Sequence, residues 1–129
     1  MLARFRAAAE AGKADPTAGA KAYDAIANDG AAEGYLRDLA RLRAAMLRLN
    51  GTEAQAALTD LEKLATPANP WRHTARELLG LAALKRGDTD GAGRWFDQIA
   101  TDREAPQGLR SRLEIYTALA AGGAVQTTQ

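Results

Sequence analysis

The segment from His73 to Pro106 constrains the fold of this chain more than any other, because it has the layout of one helix–turn–helix unit. Its markers are a leucine-glycine pair, a turn, a small residue, an aromatic residue and a closing proline: Leu79-Gly80, Gly87-Asp88, Ala92, Phe96 and Pro106. A helical hairpin of about 34 residues cannot bury its apolar face alone. The segment therefore predicts an architecture in which several hairpins stack on one another.

The same pattern occurs twice more, earlier in the chain. When Ile26, Leu64 and Ile99 are aligned, a large residue and a small residue each share a position. The large residues are Tyr23, Leu61 and Phe96, and the small residues are Gly19, Ala57 and Ala92. The aligned positions are 38 and 35 residues apart, close to the period of about 34 residues that is typical of such hairpins. This spacing predicts repeats over approximately residues 1–30, 31–68 and 69–105.

Turn and capping residues divide the chain into seven predicted helices. Asp15-Pro16 predicts the N-cap and first-turn proline of the second helix, and Asp88 the N-cap of the sixth. The Thr52-x-x-Gln55 pattern predicts a capping box that opens the fourth helix. Asn50-Gly51 predicts a helix end with positive φ, and Gly122-Gly123 predicts the end of the last helix.

The composition favours the same fold. Hydrophobic residues make up 47% of the chain and aromatic residues only 5%. Most of the apolar residues are alanine and leucine, which are strong helix formers. We predict an all-α fold, a right-handed α-solenoid of about three and a half hairpins. It would form one domain over residues 1–121, with a closing helix over residues 106–121 and a flexible tail over residues 122–129.

Several function classes are disfavoured by the residues present. A net charge of +1 offers no basic excess for a phosphate backbone, so we predict no nucleic-acid partner. No apolar run approaches the roughly 20 residues of a membrane span. The chain has no cysteine and a single histidine, His73, without a ligand set or a catalytic triad around it. We predict a protein that is not an enzyme and has no cofactor, metal or catalytic site.

The candidate binding residues lie on the first helices of the hairpins, which line the concave and usual binding face of stacked repeats. Their offsets from Leu79-Gly80, and from the corresponding stretch one repeat earlier, single out seven positions. These are Leu39, Leu42, Met46, Thr74, Glu77, Leu81 and Leu84. The surplus leucines favour an apolar groove for a protein or peptide segment. The alternative is that the seventh helix or a preceding helix covers them.

Three other features have both a functional and a structural interpretation. Trp71 either packs at its helix start or anchors a partner, and Trp95 either packs at an edge or stays partly exposed. The arginines at positions 37, 41, 43 and 48 form either a solvated helix face or a contact for an acidic partner segment. His73 is either structural or a base or metal ligand, and the structural interpretation is favoured.

Two runs, Asn69 to Asp88 and Leu36 to Ala45, resemble the tetratricopeptide-repeat-like proteins of alphaproteobacteria. That family is similar to the ancillary subunit of the bacterial Sec translocon. The resemblance extends from about Gly12 to Leu119, and the Asn-Pro-Trp-Arg-His segment is its most specific part. It implies a non-catalytic scaffold on the periplasmic side of the inner membrane, anchored through a segment absent from this chain. The implied partners are the Sec translocon or a periplasmic chaperone, in assembly or quality control of exported proteins.

Two alternatives remain open from the sequence. Repeat stacks with exposed apolar ends can self-associate, so a homodimer or other homo-oligomerisation module is one of them. The other is a soluble cytoplasmic adaptor, which applies if Met1 is the true start of the protein.

Overall fold

A computed structural model describes the backbone of residues 1–127 and the side chains of residues 1–122. Seven α-helices follow one another: α1 (Leu2–Ala14), α2 (Pro16–Ala27), α3 (Gly34–Arg48), α4 (Ala54–Leu64), α5 (Arg72–Lys85), α6 (Thr89–Ala100) and α7 (Gln107–Thr127). The backbone over residues 1–127 contains no strand. The predicted all-α fold of seven helices is confirmed.

The chain divides into two compact units, and the second begins at Arg72. Unit 1 contains α1 to α4, and unit 2 contains α5 to α7. The division lies close to residue 69, where the third repeat is predicted to begin. The right-handed stacking of all repeats into a single domain stays a prediction.

Unit 1 is organised around α2, which packs against both α1 and α3, while α4 packs against α3. Its core is small and rich in alanine: Ala8, Ala20, Tyr23, Ile26, Ala27, Ala40 and Ala44. The helices α1 and α2 cross closely at Gly12 and Gly19, where a Cβ atom on Gly19 would overlap the Gly12 backbone. This close crossing brings α1 near enough for Leu47 of α3 to contact Gly12.

Unit 2 is organised around α6, which packs against α5 and α7. The core comprises Ala83, Ala92, Phe96, Ile99, Ala105, Leu109 and Leu113. The Phe96 ring stacks on the ring of Tyr116 from α7, with 5.1 Å between the centroids. Phe96 also lies directly against Gly80 of α5, so this aromatic residue joins all three helices.

The repeat alignment is confirmed as a packing pattern. The three large residues, Tyr23, Leu61 and Phe96, are at most 3% exposed. The small residues Gly19, Ala57 and Ala92 are also buried, as are Ile26, Leu64 and Ile99, the residues used for the alignment. The spacing therefore marks the side chains by which each second helix packs on its neighbours.

Two of the predicted caps are confirmed and one is wrong. The Asp15 carboxylate accepts a hydrogen bond from the Thr17 backbone N–H, and the Asp88 carboxylate accepts one from the Gly91 backbone N–H. The capping box at Thr52 does not form, because α4 begins at Ala54 and Glu53 is its N-cap. Thr52 therefore lies before the cap position, and no side-chain hydrogen bond caps this helix.

The helix end predicted at Asn50-Gly51 is confirmed, because α3 ends at Arg48, but the positive φ expected there is absent, and the helix end predicted at Gly122-Gly123 is wrong. Gly87, with φ of 82°, is the only residue with positive φ in the described part of the chain. The turn after α3 instead closes with a Gly51 N–H to Arg48 carbonyl bond of 3.1 Å, without a left-handed residue. The last helix continues through Gly122-Gly123 to Thr127, since glycine can adopt helical angles at a cost of only about 1 kcal/mol. The remainder of the predicted tail, residues 128–129, lies outside the described residues.

Candidate functional site

The structure places the predicted groove residues in different environments instead of on one open face. Leu42 is buried, Leu39 and Leu81 are half-buried, and Thr74 is exposed. Leu84 packs against the core of unit 2. Met46 is the one large apolar residue of the predicted set that is open to solvent, at 43% exposed.

Glu77 is engaged by α7 and does not face an open groove. Its carboxylate accepts hydrogen bonds from Arg112 Nε at 2.7 Å and from the Tyr116 hydroxyl at 2.6 Å. Burial by itself would raise the pKa of Glu77, but the bonds from Arg112 and Tyr116 outweigh it and lower the pKa below its ordinary value. At this position the seventh helix covers the face of α5, as the alternative interpretation predicted.

Asp102 joins α5 to the loop that follows α6. Its carboxylate accepts hydrogen bonds from Arg72 Nε at 2.7 Å, Arg76 Nη1 at 2.9 Å and the Glu104 backbone N–H at 3.0 Å. The hydrogen bond from Arg72 has the largest effect on the pKa of Asp102 and lowers it, whereas burial raises it. Together the three donors hold the pKa of Asp102 far below its ordinary value. Both arginines are buried, so this ionised cluster is a structural tie inside unit 2.

His73 lies beside this cluster. Its Nδ1 atom is 3.9 Å from Asp102 Oδ2, too far for a hydrogen bond, and it is buried without a hydrogen-bond partner among the described residues. Burial lowers the pKa of His73, and the neighbouring charge of Arg72 lowers it further. The imidazole is therefore neutral at pH 7. Across the described residues, no three histidine or carboxylate side chains are grouped to hold a metal ion.

Trp71 is half-buried and is held by two hydrogen bonds within unit 1. Its backbone N–H donates to Asn69 Oδ1 at 2.8 Å, and its indole N–H donates to the Tyr35 carbonyl at 2.9 Å. Both contacts stay within the loop and helix that surround it, so this tryptophan fixes the end of unit 1. Trp95 is half-buried in unit 2.

The predicted basic set on α3 is not a single surface. Arg41 binds Asp38 at 2.8 Å, and Arg48 binds both Asp24 of α2 and Glu53. The hydrogen bond to Asp24 is the main reason that the pKa of Arg48 is raised. Arg43 differs from both, because it is exposed and has no hydrogen-bond or ion-pair partner among the described residues.

An open groove lies between α1 and α3, and the sequence interpretation did not identify most of it. Seven residues line it: Ala9, Gly12 and Lys13 of α1, Tyr23 of α2, and Arg43, Met46 and Leu47 of α3. We call this set the α1–α3 groove. Its volume is about 260 Å³ and its lining is mostly apolar, with the exposed side chains of Lys13 and Arg43 supplying two positive charges.

A signal for this groove was present in the sequence. Arg6, Ala9 and Lys13 follow one another at i, i+3 and i+7 on α1, which places them on one helical face. On α3, Leu39, Arg43 and Met46 have the spacing i, i+4 and i+7. Of the seven residues that line the groove, the offset from Leu79-Gly80 indicated only Met46, because that offset applies to α3 and α5 and not to α1.

Comparisons with known proteins do not identify a family. No protein-family model, curated protein or solved structure matches the chain. The resemblance to tetratricopeptide-repeat-like proteins near the Sec translocon therefore stays a prediction. In the described part of the chain, no helix is long and apolar enough to cross a membrane.

Proposed function

We propose that this protein is a non-catalytic scaffold that binds a segment of another protein in the α1–α3 groove. The observation that carries the proposal is the groove itself, an open and mainly apolar depression between the first helices of two hairpins. An apolar side chain of the partner would lie over Tyr23 and against Met46 and Leu47. Burial of that side chain would contribute roughly 25 cal/mol for each Å² removed from water.

The groove is built on packed side chains, which supports binding without a large rearrangement. Tyr23 belongs to the core of unit 1, and Leu47 packs against that core. Met46 is the flexible element on the rim, and an unbranched thioether side chain adapts well to different partner shapes. A preformed floor lowers the entropic cost of binding, and either a helix or an extended segment would fit this description.

The equivalent face in unit 2 offers less to a partner. Glu77 is bonded to Arg112 and Tyr116 of α7, and Leu84 packs into the core. A partner would have to displace these contacts before it could reach α5. We therefore assign the binding role to unit 1.

The proposed setting rests on the sequence resemblance alone. It is the periplasmic side of the inner membrane, where such a scaffold would act in assembly or quality control of exported proteins. The Sec translocon or a periplasmic chaperone would then be the first partners to test.

Site-specific crosslinking in the source cells tests the proposal. A photoreactive amino acid in place of Met46 would report on the groove, and the same amino acid at Lys21, an exposed position of α2 outside the groove lining, is the control. We expect a covalent adduct with a different protein at position 46 and none at position 21. Absence of an adduct at position 46, or equal adducts at both positions, would contradict binding in the groove.

A second candidate is a homo-oligomer formed through α7. This helix exposes two large apolar side chains, Ile115 at 62% and Leu119 at 57%. Sedimentation equilibrium decides between the two: an oligomer that becomes monomeric in the Ile115→Glu variant would favour this candidate. A monomer at all accessible concentrations would refute it.

A further inference from the structure

We infer that the α1–α3 groove selects an acidic segment, one that carries Asp or Glu side chains within a turn or two of a bulky apolar residue. This inference rests on the proposed function, since it specifies which kind of protein segment the groove accepts. The apolar lining would supply most of the affinity, and the positive charges at the groove would determine which partners are accepted.

The first observation is the state of the two cations that line the groove. Arg43 has no acidic partner among the described residues. Lys13 has one partner, Glu10 at 3.2 Å, and the two side chains are 75% and 67% exposed. An ion pair as exposed as this contributes little to stability. Lys13 can therefore exchange Glu10 for a carboxylate of the partner at little cost.

A third cation extends the positive surface along α1. Arg6 is exposed, lies on the same helical face as Ala9 and Lys13, and makes no ion pair or hydrogen bond in the described part of the chain. Two turns of helix separate Arg6 from Lys13. The positive charge therefore runs beside the apolar lining over a length that a short peptide segment can follow.

Three other arginines of the same unit are paired with acidic side chains. Arg4 binds Asp29 at 2.6 Å, Arg41 binds Asp38 at 2.8 Å and Arg48 binds Asp24 at 2.5 Å. Unit 1 thus supplies an acidic side chain to each of these three cations and supplies only the exposed Glu10 at the groove. Lys21, Arg37 and Lys63 of unit 1 also make no ion pair among the described residues, but they do not line the groove. At Lys13 and Arg43 the positive charge lies beside an apolar lining where a partner side chain can also dock.

Lys13 and Arg43 line the groove and Arg6 lies further along α1, and the exposed Glu10 is the one acidic side chain paired with any of them among the described residues. An acidic segment would be attracted to this surface and a basic segment repelled by it. Because salt screens exposed charges over about 8 Å at physiological ionic strength, the preference must weaken as salt is added. The apolar contribution to the affinity does not weaken when salt is added. The apolar and the electrostatic contributions can therefore be measured separately.

Fluorescence anisotropy with two synthetic peptides tests this inference on the full chain. Both peptides carry the same apolar residues at helical spacing, and their polar positions are glutamate in one and lysine in the other. We expect the acidic peptide to bind at least tenfold more tightly at low salt, and the ratio to shrink as salt is raised. We expect Arg43→Glu to weaken binding of the acidic peptide by roughly fivefold to tenfold and to strengthen binding of the basic peptide.

Two control variants separate the possible results. Lys21→Glu makes the same change of charge outside the groove and should leave both affinities unchanged, and Met46→Glu should abolish binding of the acidic peptide. Circular dichroism confirms that each variant is folded.

Equal binding of both peptides, unchanged by Arg43→Glu, would overturn the acidic preference and leave the scaffold function standing. Binding of neither peptide at millimolar concentration would count against the groove as a docking site altogether.

Discussion

The packing of Gly80 against Phe96 leads to a sharp prediction about stability. A Cβ atom at Gly80 would lie less than 3.0 Å from three carbons of the Phe96 ring. The ring has little freedom to move away, because it is 3% exposed and stacks on Tyr116. The variant Gly80→Ala should therefore push α5 away from α6.

The magnitude follows from two opposing contributions. Overpacking of a filled core costs about 1–3 kcal/mol, while replacing a helical glycine by alanine gains roughly 0.5–1 kcal/mol. Gly93 of α6 is the matched control, since a Cβ atom there would meet nothing within 4 Å. Gly93→Ala should thus be stabilising by the propensity gain alone. The two variants should differ in free energy of unfolding by about 1–3 kcal/mol, the overpacking cost alone.

Urea unfolding followed by circular dichroism measures this difference by linear extrapolation. The double variant Gly80→Ala with Phe96→Leu should recover part of the loss, because the smaller side chain leaves room for the new methyl group. A positive coupling energy in the double-mutant cycle would show that the two positions act on each other. If Gly80→Ala were as stabilising as Gly93→Ala, a Cβ atom at position 80 would not be overpacked against Phe96.

Three further outcomes are expected. The pKa of His73 is lowered in the folded state, so the unfolded chain binds a proton at higher pH than the folded chain does. The free energy of unfolding should therefore begin to fall as pH drops below about 6.5, the ordinary pKa of histidine. The His73→Gln variant, measured by urea unfolding at the same pH values, should lack this decrease. Tyr116→Phe removes the 2.6 Å bond to Glu77 and should cost about 1 kcal/mol in thermal or urea unfolding. Asp15→Ala removes a formed cap and should cost about 1 kcal/mol, whereas Thr52→Ala should change stability by less than about 0.5 kcal/mol; equal losses in these two variants would contradict the cap assignments.

The sequence was sufficient to predict those structural features that depend on the spacing of residues close together in the chain. The intervals between Gly19, Tyr23 and Ile26, repeated in two later helices, located the buried side chains because helical periodicity decides which residues face a neighbour. Asp15 and Asp88 were recognised as caps for a similar reason, since each bonds an amide two or three residues away. Local hydrogen bonds of this kind are readable from the order of residues alone.

The features that could not be predicted from the sequence depend on contacts between residues that lie far apart in the chain. Glu77 is covered by Arg112 and Tyr116, which lie 35 and 39 positions later. Arg48 is paired with Asp24, which precedes it by 24 positions, so the openness of Arg43 could not be inferred from the basic run that contains both. The groove exists because α1 and α3 both pack on α2, and that arrangement is a property of the tertiary structure.

In the proposed function the α1–α3 groove, and no other surface, receives the partner. Backbone amide chemical shifts of the isotope-labelled protein, titrated with the acidic peptide, locate the binding surface. We expect the shifts to change in α1 and α3 around Gly12, Arg43 and Met46, with those of α7 unmoved. Changes centred on Ile115 and Leu119, with the amides of the groove unaffected, would contradict the claim.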